Sequence, residues 1–132
     1  HKVKVTPRYL TYLYIHNGDA LLLHKRTAND IWRNLYEFPL IETDTPIDSD
    51  SLFLLPEFVD WHENLPEYLY KGGVGGVKHV LSHRVLYATF HELVVQGDLP
   101  KCDDYVAVAF ADLDRYALPR LIERYMEKEK SR

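Results

Sequence analysis

Apolar and polar positions near the start of the chain follow the pattern of a β-hairpin. Residues 9–15 alternate aromatic and smaller side chains, an Asn-Gly-Asp turn signal follows at residues 17–19, and residues 20–26 begin with a second apolar run. Two such runs on either side of an Asn-Gly turn predict two paired strands. A third, shorter strand is predicted over residues 35–41, where Pro39 favours the edge of a sheet or a bulge.

The middle of the chain combines short helical stretches with a glycine-rich segment. Residues 43–51 are polar and offer helix N-caps, and two short helices are predicted over residues 52–55 and 58–61, separated by Pro56. Residues 71–76 read Lys-Gly-Gly-Val-Gly-Gly, which predicts a flexible turn between two strands.

Long strands and a final helix account for the rest of the pattern. Residues 77–95 are rich in Val, Leu, Tyr and Phe and too numerous for one straight strand, so we expect a break near residues 82–83. Residues 105–111 predict another strand. Residues 117–130 predict a helix with Pro119 in its first turn. Its apolar side chains recur at helical spacing on one face: Leu118, Leu121, Ile122, Tyr125 and Met126.

These elements predict one domain of the α/β (α+β) class, spanning residues 1–132, because strands with interspersed helices pack as layers. The chain has 132 residues, of which 46% are hydrophobic, enough for a core of its own. Its formal net charge of −4 is mildly unfavourable for a free-standing nucleic-acid binder, because phosphate contacts need positive charge. Residues 71–84 are the exception, since they hold three basic residues, two histidines and no acid.

The single cysteine, Cys102, excludes an internal disulfide framework and a four-cysteine metal site from this chain alone. The longest apolar run, residues 106–111, is far shorter than the roughly 20 residues that span a bilayer, so we expect no membrane association. We expect a bacterial cytoplasmic protein, associated with the nucleoid when it is on DNA. The only methionine is Met126, so we also expect the chain to be a fragment of a longer protein.

The spacing of residues argues against three kinds of site: a histidine metal site, a serine nucleophile with its base, and a phosphate-binding loop. His79 and His83 are four residues apart, but the segment has strand character, so we expect no metal site. Ser82 next to His83 does not predict a nucleophile and base, because neighbours on a strand point to opposite faces. The glycine-rich residues 71–76 lack the Gly-Lys-Ser/Thr that ends a phosphate loop.

Three segments together carry a family pattern. Residues 22–26 read Leu-Leu-His-Lys-Arg, residues 32–39 read Trp-Arg-Asn-Leu-Tyr-Glu-Phe-Pro, and residues 81–83 read Leu-Ser-His, while Ala-Leu-Pro at residues 117–119 precedes the last helix. In this order they resemble the C-terminal domain of MutY-type A/G-specific adenine DNA glycosylases, a Nudix-like domain. The resemblance covers nearly the whole chain and implies a Nudix fold, a mixed β-sheet sandwiched by helices.

The resemblance also raises the question of whether this chain is itself a hydrolase. Nudix hydrolases hold divalent metals with the carboxylates of a motif that contains Arg-Glu and Glu-Glu pairs, whereas this sequence has neither pair. We therefore expect no cofactor, no metal and no catalysis from this chain alone. In the glycosylase family the catalytic groups and a 4Fe-4S cluster lie in an N-terminal domain. The resemblance implies that domain as a partner, in a parent enzyme that is an N-glycosyl hydrolase of base excision repair.

The resemblance implies that this domain recognises double-stranded DNA containing adenine opposite 8-oxoguanine. The family's lesion-reading loop falls on Ser82, with Leu81 and His83 beside it, and Lys78 and Arg84 are the nearby basic candidates for phosphate contacts. A hydroxyl both donates and accepts, so Ser82 suits a base that gains an acceptor at O8 and a donor at N7. Leu81 stands where the family often has a phenylalanine wedge, and leucine can also wedge between base steps.

Two other functions stay open at the level of sequence. One is a Nudix nucleotide pyrophosphohydrolase with a degenerate metal motif. The other is a protein-interaction module without DNA contact, which the net charge of −4 favours.

Overall fold

The computed structural model of this chain describes residues 5–130. The expected domain bounds, residues 1–132, extend beyond this range at both ends. The strands are β1 (Thr6–His16), β2 (Ala20–Lys25), β3 (Tyr36–Glu37), β4 (Leu40–Thr43), β5 (Tyr68–Leu81), β6 (Arg84–Val95) and β7 (Val106–Ala109). The helices are α1 (Ser49–Leu52), α2 (Pro56–Asn64) and α3 (Arg120–Lys130), and a 3-10 helix spans Phe110–Arg115.

All seven strands belong to one mixed sheet with β1 at its centre. The main order is β3-β2-β1-β6-β5, while β4 also pairs with β1 and β7 also pairs with β2. β1 runs parallel to β6 along its whole length and antiparallel to β2 and β4. β5 pairs only with β6, so it forms one edge of the sheet.

Each face of the sheet carries its own core. We call them the first face, where Tyr12 and Phe90 pack with α3, and the second face, where Leu13 and Leu93 pack with Phe58 of α2. Neighbouring residues of β1 serve different faces because a strand points successive side chains to opposite sides. The expected mixed α+β architecture, a large sheet flanked by helices, is confirmed. None of the described helices has the length and apolar character needed to cross a membrane.

Several local predictions are also confirmed. The first two predicted strands form an antiparallel hairpin, with His16 opposite Leu21. Asp48 caps α1 by accepting a 2.7 Å hydrogen bond from the backbone N–H of Ser51. The final helix packs on the sheet through Leu121, Ile122 and Tyr125, all of which are buried.

The prediction of a turn over residues 71–76 is wrong, because these residues lie inside β5. The pairing with β6 shifts twice, between Tyr70 and Gly73 and between Val74 and Val77, and each shift inserts one extra residue into β5. Such insertions are β-bulges. Each contains a glycine with positive φ, 96° at Gly72 and 73° at Gly76, which a residue with a Cβ rarely adopts.

Other boundaries also differ from the predictions. Residues 35–41 form two short strands, because the chain breaks around Pro39 between β3 and β4. The helix predicted over residues 52–55 is displaced, since α1 ends at Leu52. The helix predicted over residues 58–61 is present but longer, because α2 begins at Pro56 and ends at Asn64.

The last strand and the last helix are both shorter than predicted. β7 ends at Ala109, and Phe110 already begins the 3-10 helix. The carbonyl of Ala117 accepts a 2.8 Å bond from the backbone N–H of Tyr36, which holds this residue against β3 and outside the helix. The carbonyl of Pro119 accepts the N–H groups of Ile122 and Glu123, so α3 begins only at Arg120.

Candidate functional site

A two-residue turn joins the two longest strands of the sheet at one end of the molecule. Leu81 pairs with Arg84 across the hairpin, which leaves Ser82 and His83 as the turn between β5 and β6. The backbone N–H of Thr6 donates to the carbonyl of His83 at 3.3 Å and ties the turn to the start of β1. Ser82, His83 and Arg84 are all exposed. The hairpin therefore presents a hydroxyl, an imidazole and a guanidinium to solvent.

The structure brings four of the five sequence-derived site residues together and separates the fifth. Leu81 adjoins the turn but is half-buried against the core of the first face, so the exposed tip consists of Ser82 and His83. Lys78 pairs with Tyr87. Because side chains alternate along a strand, Lys78 lies on the second face, opposite to Leu81.

A loop beside this hairpin is held by one guanidinium. Arg26 follows β2, and its Nε donates to the carbonyl of Ile31 at 3.1 Å. Its Nη2 lies 3.0 Å from a carboxylate oxygen of Asp30, and its Nη1 lies 3.0 Å from a carboxylate oxygen of Glu37. The rigid donor fork of one side chain thus joins two neighbouring residues of the loop to Glu37 of β3.

Glu37 is the most deeply placed charge in this cluster, with 0% of its side chain exposed. Besides Arg26, its carboxylate accepts a 2.7 Å hydrogen bond from the hydroxyl of Tyr12. Burial, reinforced by the nearby carboxylate, raises the pKa of Tyr12 well above its usual value. Tyr12 therefore stays protonated and donates to Glu37.

A second arginine fastens the same loop to the sheet. The guanidinium of Arg8 donates two hydrogen bonds to Asp30, at 2.7 and 2.9 Å, and two to Glu42, both at 2.8 Å. The hydrogen bonds from Arg8 lower the pKa of Asp30 to about 2. The carboxylates of Asp30 and Glu42 are therefore satisfied within the protein.

The loop held in this way carries a tryptophan in an unusual backbone conformation. Trp32 has φ 57° and Asn34 has φ 72°, both in the left-handed region. For a bulky side chain this conformation costs about 1–2 kcal/mol. The ring of Trp32 lies edge-on to His79 of β5, with centroids 6.0 Å apart. Trp32 also packs against the core of the first face, and no local pattern in the sequence indicates its contact with the hairpin.

The carboxylates of the described chain do not form a metal cage. No group of three or more His, Cys, Asp or Glu side chains within residues 5–130 is arranged to hold a metal ion. Phe38 and Pro39 are followed by the strand β4 instead of a glycine loop and an acidic helix, and Glu42 of that strand is bonded to Arg8. These residues do not fit the divalent metals of a pyrophosphate hydrolase.

Comparison with known proteins points to one fold. A family model described as a NUDIX domain matches residues 11–128. The C-terminal domain of mouse MUTYH, solved in complex with human PCNA, superimposes with a TM-score of 0.63 and 14% identity over 94% of this chain and 88% of that one.

 RenU, a Nudix hydrolase from M. smegmatis, superimposes with a TM-score of 0.62 and 12% identity over 92% of this chain and 86% of that one.

A third solved structure, the MutT protein from Methanosarcina mazei Go1, superimposes with a TM-score of 0.59 and 18% identity over 98% of this chain and 99% of that one. At these identities the likenesses establish the fold alone. No curated protein sequence matches the chain.

Proposed function

Because this chain belongs to the Nudix domain family, we propose that it is the recognition domain of an A/G-specific adenine DNA glycosylase, reading 8-oxoguanine opposite adenine through the turn between β5 and β6. One observation carries the proposal. An exposed Ser82-His83 turn, followed by the exposed Arg84, ends an edge hairpin in a chain whose described carboxylates do not form a metal cage. A Nudix fold whose described carboxylates form no metal cage suits a binding role.

The chemistry of the turn matches the proposed lesion. Relative to guanine, 8-oxoguanine has a new acceptor at O8 and a donor at N7, and one hydroxyl can serve either atom. Ser82 is exposed at the end of the hairpin, where a base edge can reach it. A pair of hydrogen bonds of this kind discriminates between bases by about 1–3 kcal/mol.

The catalytic groups of the proposed enzyme, and its 4Fe-4S cluster, belong to a separate N-terminal domain in this proposal. This chain would supply recognition and leave excision of the adenine to that partner. The similarity to the C-terminal domain of mouse MUTYH supports such an arrangement.

The first test measures binding of the chain to a labelled duplex that contains adenine opposite 8-oxoguanine. If about three phosphates are neutralised, the logarithm of the binding constant falls with that of the salt concentration at a slope of about −3. Replacing Leu81, Ser82 and His83 together by alanine should weaken binding. The matched control is Ser49→Ala, which changes an exposed serine of α1.

Two results would contradict the proposal. Binding that is independent of salt, or unchanged by the triple substitution, would favour a protein-interaction module. Magnesium-dependent release of phosphate or pyrophosphate from nucleotides by the purified chain would favour the hydrolase instead.

A further inference from the structure

The outer edge of β5 is open. β5 pairs with β6 on one side, and no other strand within residues 5–130 pairs with it on the other side. A strand in this position has backbone N–H and C=O groups without a ladder partner, which makes it a template for a further strand. The edge of β5 is therefore a place where a second polypeptide can join the sheet through main-chain hydrogen bonds.

The register of the hairpin identifies the free backbone groups. Leu81 and Arg84 enclose the two-residue turn and pair directly, so they exchange hydrogen bonds with each other. Bonded and non-bonded pairs alternate along an antiparallel ladder, so His79 also bonds to β6, whereas Lys78 and Val80 do not. The N–H and C=O groups of Lys78 and Val80 therefore point away from β6, towards the open edge.

Only part of this edge is regular enough to accept another strand. The two bulges of β5 lie between Tyr70 and Val77 and interrupt the even spacing of its backbone groups. Bulges and lysines are devices that protect the edges of sheets from uncontrolled pairing. Beyond the second bulge, residues 77–81 pair with β6 without a further shift. This regular segment suits a short peptide in an extended conformation.

The side chains of this segment indicate what the peptide carries. Lys78 and Val80 lie on the second face of the sheet, where Val80 is 66% exposed. Lys78 is also exposed, and no ion pair joins it to a carboxylate of residues 5–130. Side chains that lie opposite each other on paired strands interact on the same face. An acidic residue opposite Lys78 and an apolar residue opposite Val80 complement the two positions.

The charge of the hairpin argues against a second copy of this chain as the added strand. Residues 71–84 contain three basic residues, two histidines and no acid. Pairing two such edges would bring like charges together, which is destabilising. An acidic segment of another protein has the opposite charge and makes the same main-chain hydrogen bonds.

We propose that residues 77–81 of β5 bind an extended segment of a partner protein as an additional strand. In this segment an acidic residue lies opposite Lys78, and an apolar residue two positions away lies opposite Val80. Main-chain hydrogen bonds supply the affinity, and the two side chains supply the selectivity. This inference does not depend on the proposed function, because it uses the edge of the strand and not the turn that contains Ser82.

A short synthetic peptide tests the proposal on the whole chain. The probe Thr-Val-Thr-Glu-Thr-Val-Thr has an apolar residue two positions from the acid in both directions, so it fits a parallel or an antiparallel added strand. Titration with this peptide should shift the amide NMR signals of Lys78 and Val80 and slow their hydrogen exchange. The matched control peptide has lysine in place of glutamate and should bind about fivefold more weakly, because it lacks the cross-strand ion pair.

Two kinds of variant separate the backbone contribution from the side-chain contribution. Val80→Pro removes an N–H group that makes no bond to β6, and proline is tolerated at such edge positions. It should abolish binding of the peptide, whereas Val80→Ala keeps the N–H group and should retain most of the binding. Lys78→Glu should bind the lysine peptide better than the glutamate peptide. This reversal tests the proposal even if Val80→Pro does not fold.

Four results would each overturn the proposal. One is a millimolar concentration of the glutamate peptide that leaves the amide signals of Lys78 and Val80 unchanged. Another is equal binding of the two peptides, or equal binding by Val80→Pro and Val80→Ala. If duplex DNA shifts these signals and the peptide does not, the edge belongs to a nucleic-acid surface. If the chain dimerises with rising concentration and Val80→Pro prevents it, a second copy is the added strand.

Discussion

Removing the guanidinium of Arg26 should destabilise this fold far more than removing a surface arginine. Glu37 has 0% of its side chain exposed, and in Arg26→Ala its carboxylate would keep the hydroxyl of Tyr12, 2.7 Å away, and the Nε2 atom of His24, 2.9 Å away. Breaking a buried pair by removing one partner costs about 3–5 kcal/mol. We expect about 3 kcal/mol, because the space left by the side chain admits water to the carboxylate.

This loss is large compared with the roughly 5–15 kcal/mol that stabilise a typical domain. It corresponds to a fall in Tm of about 10 °C for a chain of this size. The assay is urea unfolding followed by circular dichroism at pH 7. Arg115→Ala is the matched control, because that side chain is 77% exposed and 4.0 Å from its acidic partner, and it should change stability by less than about 0.5 kcal/mol.

A second substitution identifies the cause of the loss. Glu37→Gln removes the charge that Arg26 balances while keeping an oxygen that can accept from Tyr12. In the Arg26→Ala background it should therefore restore about 1–2 kcal/mol, a coupling that independent sites do not show. If Arg26→Ala costs less than about 1 kcal/mol, or if Glu37→Gln adds to the loss, the pair does not hold this part of the fold.

Two further predictions concern other parts of the structure. Arg8 lowers the pKa of Asp30 to about 2, so this carboxylate adds stability above about pH 4 that is lost as the pH falls towards 2. Asp30→Asn should therefore cost about 1 kcal/mol at pH 7, after allowance for solvent screening, and the difference in unfolding free energy should shrink as the pH falls from 4 through about 2. A Cβ on Gly73 would lie 2.8 Å from the buried ring of His91, so Gly73→Ala should cost about 1–3 kcal/mol by urea unfolding. Gly75→Ala, which meets only a methyl group at 3.3 Å, should cost less, and equal losses would contradict the steric explanation.

Local patterns predicted the elements whose signals are local. The Asn-Gly turn of the first hairpin and the helical spacing of Leu121, Ile122 and Tyr125 each depend on residues close in sequence. The break near residues 82–83 was also predictable, because no straight strand accommodates so long an apolar stretch. The exposed part of the candidate site was therefore accessible from sequence.

Features that depend on distant residues were not accessible in this way. Glycines at residues 71–76 predict a turn when they are considered alone, and only the register with β6 makes them two bulges. Arg8 is 22 residues from Asp30 and 34 from Glu42, so no local pattern indicates that one guanidinium joins both. The nearest local indication of an ion pair in this loop was the position of Asp30, four residues after Arg26.

The left-handed backbone at Trp32 follows from the same distant contacts. A tryptophan before a strand is typical of a core residue, and its strain arises only when Arg26 and Arg8 fix the loop around it. The conformation of the loop that carries Trp32, beside the turn, could therefore be derived only from the structure.

The ratio of affinities for two duplexes tests the central claim most directly. The duplexes differ only in carrying 8-oxoguanine or guanine opposite the same adenine, and the chain is compared with Ser82→Ala and with Ser49→Ala. We predict that the unmodified chain and Ser49→Ala prefer the oxidised duplex, and that Ser82→Ala loses about 1–2 kcal/mol of that preference while keeping its general affinity for DNA. A chain that binds both duplexes equally, or a preference that Ser82→Ala leaves intact, would contradict the assignment of lesion recognition to this turn.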